Sequence, residues 1–120
     1  MREEIIVTPK PTLMTATGKQ PLAEVRDVSA YTRLDLGLQV FIFDNPGSIT
    51  VVIETSLQNT DDSDTQWVTL CSFDPITVAN KLEKASATTG ILRYIRWRIT
   101  AFSGTSPKVV FSITGFAVQD

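Results

Sequence analysis

Few side chains in this chain of 120 residues could do chemistry, and their spacing narrows what that chemistry is. Asp61, Asp62 and Asp64 with Asn59 gather hard oxygen donors in one short loop, a set able to wrap calcium, although the twelve-residue EF-hand order is missing. The plain alternative is a solvated acidic loop. The three carboxylates crowd one loop instead of facing each other across a bond, so glycoside hydrolysis is not expected of them. Histidine is absent, which removes the usual Ser-His-Asp and Cys-His nucleophile arrangements and the commonest neutral metal ligand. Cys71 is the single cysteine, so zinc is not expected either, and its thiol reads as a small buried hydrophobe in a reducing cytoplasm. Gly18-Lys19 follows no phosphate-cradling glycine loop. These residues predict a protein that is not an enzyme and needs no cofactor.

Recognition is the other chemistry available. In Ile91-Leu-Arg-Tyr-Ile-Arg-Trp-Arg-Ile-Thr100, Ile95, Trp97 and Ile99 alternate with Tyr94, Arg96 and Arg98. A period of two sends the two sets to opposite faces of a strand, so one face builds core while the other meets water, acidic neighbours or another protein. Arginine and tyrosine are enriched where proteins meet. Trp97 reads as core. Trp67 is open, because Thr69, Cys71 and Phe73 compete with Val68 and Leu70 for the interior; an exposed indole there would suit stacking on a sugar ring.

The elements that must position these groups are strands. Arg33-Leu-Asp-Leu-Gly-Leu-Gln-Val-Phe-Ile-Phe43 sets Leu34, Leu36, Leu38, Val40 and Ile42 on one side, which sends Phe41 and Phe43 to the other, exposed and in need of cover. Asp44-Asn-Pro-Gly47 favours a turn, and Ile49, Val51 and Ile53 then alternate against Thr50 and Glu54, completing an antiparallel pair. Lys81 to Ala87 reads as a weak strand, with a short helical turn over Val78 to Ala85 as the alternative. Val109, Phe111 and Ile113 mark a last strand. Several such strands without a sustained helical period predict an all-β protein, and their length of eight to eleven residues favours an antiparallel β-sandwich, jelly-roll-like, over a tight barrel.

Residues 1–26 differ in character. Pro9, Pro11 and Pro21 interrupt short apolar groups, and proline lacks a ladder donor, so this is an N-terminal arm or edge segment, with the sandwich domain at residues 27–120. Ile5, Ile6 and Val7 still require burial, on their own sandwich or on a neighbouring subunit. The candidate partner interface is therefore Ile5, Ile6, Val7, Phe41, Phe43, Tyr94, Arg96 and Arg98. Thirteen acidic against eleven basic residues give a net charge of −2, which offers no global attraction to nucleic acid or an anionic membrane. No apolar run approaches the ~18 residues of a membrane-spanning helix, and Ile5-Ile-Val7 is too short for the core of a secretory signal.

The succession Asp27-Val-Ser-Ala-Tyr31 before a leucine-alternating strand, Val52-Ile-Glu-Thr-Ser56 before a polar loop and Trp67, Leu92 to Thr100, and Phe111-Ser-Ile-Thr-Gly115 resembles small β-sandwich proteins of tailed phages and prophages. It spans about residues 27–118. The loop Asn59 to Asp64 departs from the short Asp-Gly turn of that pattern. The resemblance implies a jelly-roll virion component of the capsid decoration, or cement, type, a head or tail ring component being a neighbouring possibility. It further implies the major capsid protein or other virion proteins as partners, homo-oligomers such as a trimer, and a place in the virion after assembly in the host cytoplasm. A carbohydrate- or cell-surface-binding module, using Trp67 and calcium at the acidic loop, is the alternative from another class.

Overall fold

The computed structural model describes residues 2–44, 47–59 and 64–119, and these form two antiparallel sheets packed face to face. The strands are β1 (Arg2–Ile6), β2 (Thr12–Met14), β3 (Gly18–Lys19), β4 (Arg26–Asp27), β5 (Arg33–Asp44), β6 (Ile49–Ser56), β7 (Val68–Ser72), β8 (Lys81–Ala87), β9 (Tyr94–Phe102) and β10 (Lys108–Val118). Short 3-10 turns lie at Leu22–Glu24 and Asp64–Gln66. Lys81–Ala87 is thus a strand, entered through Asn80 at a φ of 57°, a left-handed conformation that asparagine tolerates. Asn45 and Pro46 of the expected turn lie outside the described residues.

The first sheet runs β1-β10-β5-β8, with β2 continuing beside β10, and the second runs β3-β9-β6-β7, with β4 continuing beside β9. Counting β1/β2 and β3/β4 as two broken strands leaves eight, and first pairs with last, second with seventh, third with sixth, fourth with fifth. One long antiparallel hairpin has been rolled up, which is the jelly-roll arrangement of two Greek keys. The arm is where the roll begins. Its prolines break it into short pieces, and each piece pairs on one side only, as an edge strand can.

Alternation places Leu34, Leu36, Leu38 and Val40 of the first sheet against Ile95, Trp97 and Ile99 of the second, all buried. Each such side chain contributes roughly 1.5–3 kcal/mol of burial. Trp97 and Phe111 meet edge to face across the core with centroids 5.1 Å apart. The alternation of β5 fails at one point. Val110 pairs with Ile42 but Phe111 pairs with Val40, so Phe41 is an extra residue in a β-bulge. Beyond it the inward and outward sets exchange: Phe43 is buried, edge-on to Phe102 at 6.1 Å, and Ile42 is exposed. The expectation that Ile42 points inward and Phe43 outward is corrected accordingly.

Candidate functional site

The outer face of the second sheet is closed by charge. Glu54 lies opposite Arg96 in the β6–β9 ladder and beside Arg98, and Lys19 of β3 pairs with Arg98 from the other side. Glu54 Oε1 accepts from Arg96 Nε at 2.8 Å and from Arg98 Nε at 3.1 Å. Asp64, at the start of the 3-10 turn, folds over them and accepts from Lys19 Nζ at 2.9 Å and Arg96 Nη2 at 3.0 Å, and it also pairs with Arg98. The Lys19 ammonium first, then the Arg98 guanidinium, hold the Asp64 carboxyl well below the ordinary carboxylate range, and Asp64 in turn raises Arg98. The Arg96 guanidinium also lies 4.3 Å over the ring of Trp67, which the loop brings down onto the sheet. Arg96 is 0% exposed and Trp67 6%.

Gln20, also fully buried, ties the arm to this sheet. Its side-chain amide donates to the carbonyls of Val7 at 2.6 Å and Glu24 at 2.8 Å and accepts from Trp97 N at 3.1 Å. Arg26 Nε donates to the Ile6 carbonyl at 2.7 Å, and Tyr31 donates its hydroxyl proton to Glu3. No sequence signal marks Gln20, because its role is set by where the chain passes between sheets.

The outer face of the first sheet is built differently. Register places Arg2, Val118 and Arg33 in one row; Glu4, Phe116, Asp35 and Ser86 in the next; then Ile6, Thr114, Gly37 and Lys84. Ser112, Gln39 and Leu82 follow, and then Leu13, Val110 and Ile42. Ile6, Leu13, Ile42, Leu82 and Phe116 are all between 38% and 61% exposed. On this face Arg33 pairs with Asp35 at 3.1 Å, Ser86 donates to Asp35 at 2.9 Å, and the Arg2 guanidinium lies 3.8 Å from the centroid of Phe116. The Ser86 hydroxyl first, with Arg33 adding to it, lowers the Asp35 carboxyl. Between Leu82 and Phe116 lies an open depression of about 460 Å³.

The predicted interface residues separate. Ile6 and Phe41 are exposed, and Ile5 is half-buried against the core. Val7 is a correction: it is fully buried, its backbone donating to the Ile113 carbonyl at 3.0 Å. Phe43 is turned inward by the bulge. Arg96 is the third correction, because Glu54 and Asp64 make burial of its charge possible within one chain. Arg98 is half-buried in the same cluster, and Tyr94 is half-buried with the Arg93 guanidinium 5.1 Å from its ring centroid. Leu13, Ile42, Leu82 and Phe116 were missed by sequence reasoning, although the alternation Leu82, Lys84, Ser86 was a usable signal. Asp64 is taken up by the cations, while Asp61 and Asp62 of the calcium loop lie outside the described residues. Burial raises the Cys71 thiol to about 11.

No protein family and no curated protein matches the sequence. The fold does have a counterpart: the crystal structure of SPBc2 prophage-derived protein YomS is similar over 98% of this chain and 92% of that one, with a TM-score of 0.54 and 10% identity. At that identity the likeness is one of fold, and it runs the whole length of the roll, arm included.

Proposed function

We propose that this chain is a non-enzymatic structural protein of a tailed phage or prophage, one that decorates and stabilises the capsid as part of the virion. The observation that carries the proposal is the fold likeness to a prophage-derived protein along nearly the whole chain. The exposed apolar side chains set among charges on the outer face of the first sheet support it, since such a mixed face suits a protein whose work is contact with other polypeptides. Major capsid protein is the proposed partner, and each small contact would be multiplied over the copies on a shell. The sugar-binding reading needs an indole face open to solvent, whereas the Trp67 ring is stacked on Arg96 and Trp97 lies within the core, both buried.

The test is to purify particles released after induction of the encoding phage, quantify this chain by mass spectrometry and locate it by cryo-electron microscopy. The expected outcome is density on the shell, in copies proportional to the shell subunits. Its absence from purified particles would overturn the proposal, and its presence only in a tail or connector ring would replace decoration by ring formation.

A further inference from the structure

Glycine in the interior of a strand gives up both conformational stability and side-chain packing, so its presence calls for a reason. Gly115 of β10 has one inside the fold. A Cβ there would lie 2.0 Å from the carbonyl oxygen of Asp35 and 2.8 Å from Leu36 Cα, so β10 and β5 approach too closely for any side chain. Gly37, its neighbour in the middle of β5, has no such reason. A Cβ there would meet only the tip of Leu82 at 3.4 Å and the Thr114 carbonyl oxygen at 3.7 Å, ordinary contact distances, and its φ is not positive. The room above Gly37 is the floor of the depression between Leu82 and Phe116.

We propose that the outer face of the first sheet is a self-association surface, on which a second copy of this chain packs face to face and seats an apolar side chain over Gly37. The size of the face fits a second copy. With β10 and β5 running its full length and β1, β2 and β8 shorter, the face covers roughly 600 Å² in projection, the scale of the ~800 Å² of accessible surface that each partner gives to a stable interface of standard size. Its charge fits too. Arg2, Arg33 and Lys84 stand beside Glu4 and Asp35, and Arg33 and Asp35 are already paired within the face. Two copies therefore meet without burying a field of one sign. A two-fold axis lying in the face makes the contact isologous, so it closes at the dimer and leaves the other sheet free. This goes beyond the virion proposal and holds wherever the chain acts.

The test is sedimentation equilibrium of the purified full chain, with Gly37→Arg to fill the depression and Leu82→Lys to charge its wall. Leu82 is exposed on an edge strand, so the second variant stays informative if the first fails to fold. Wild type should be dimeric, and each variant should weaken dimerisation by roughly a hundredfold or more, because each change occurs twice in the interface. Val68→Lys, on the other sheet, should leave association unchanged. A wild type that stays monomeric, or a dimer that survives Leu82→Lys, overturns the inference. A monomer whose face is covered only when shells are added overturns it as well, while leaving the virion proposal standing. A dimer absent from particles does the reverse.

Discussion

On the second sheet, Lys19, Arg96 and Arg98 leave the core and end on Glu54 and Asp64, whereas on the first sheet Leu13, Ile42 and Leu82 leave the core and end in solvent. The polar face is the more enclosed of the two. Charges can be covered from within when a loop carries the complementary carboxylate, and Asp64 supplies it while Trp67 closes over the remainder. Apolar side chains have no such directed partner, and on the first sheet no described loop crosses above them. Burial on the outside of this sandwich therefore follows the path of the loops more than the hydrophobicity of the strands.

The comparison breaks most sharply at Arg96. Arg96→Ala leaves the enclosed Glu54 with Arg98 alone as its opposite charge, opens a buried site beneath Asp64 and removes the cation over Trp67. It should cost about 3–5 kcal/mol, lowering the melting temperature by roughly 10 °C or more. Leu82→Ala, measured at concentrations too low for association, should stay within ~0.5 kcal/mol. Urea titrations of the two variants settle it: a cheap Arg96→Ala would mean that the second face is held shut by packing rather than by charge.

The bulge in β5 gives the next contrast. Phe43→Ala should cost about 3–4 kcal/mol because it empties a core site, and Phe41→Ala, two residues away and exposed, less than ~1 kcal/mol. Equal costs in chemical denaturation would return Phe43 to the surface. Within the same sheet, Gly115→Ala should cost about 1–3 kcal/mol, since β10 and β5 must part to admit the methyl group. Gly37→Ala should be neutral or stabilise by up to ~1 kcal/mol through the unfolded chain. Thermal melts of the two alanine variants read the difference directly.

Period-two burial was legible wherever a strand ran without interruption: Leu34 to Val40, Ile95 to Ile99 and Val109 to Ile113 sit as their alternation predicts. It misled beyond Phe41, because one extra residue exchanges the two faces and nothing in Phe41-Ile42-Phe43 announces a bulge. The arm was half legible. Its prolines do exclude a central strand, but which edge each piece joins depends on Thr8 and Gln20 bonding to β10 and β9, contacts about a hundred and about eighty residues away in sequence. Alternation turns Arg96 outward, and its burial comes from Asp64 and Trp67, contacts that no local pattern announces. The bare face of the first sheet was missed for the converse reason: a half-covered strand and an uncovered one have the same alternation.

The smallest effect concerns how firmly the loop is tied down. Asp64 is 56% exposed, so solvent screens its three cations and its contribution should be below ~1 kcal/mol. Its carboxyl titrates below the ordinary 3.8 in the folded chain. The stabilisation it gives is therefore complete above the unfolded value and is lost as pH falls through the folded one. Asp64→Asn should be less stable than wild type at pH 7, and the gap should narrow as both are taken toward pH 2 and shrink in high salt. The emission of Trp67 offers a second readout. Once Asp64 no longer bridges Lys19, Arg96 and Arg98, the loop should open more readily and the indole spectrum should move toward that of a solvated ring. A gap that persists unchanged in acid would place the loop's tie in the shape of the turn at Asp64–Gln66, and the second face would then be closed by backbone geometry in place of charge.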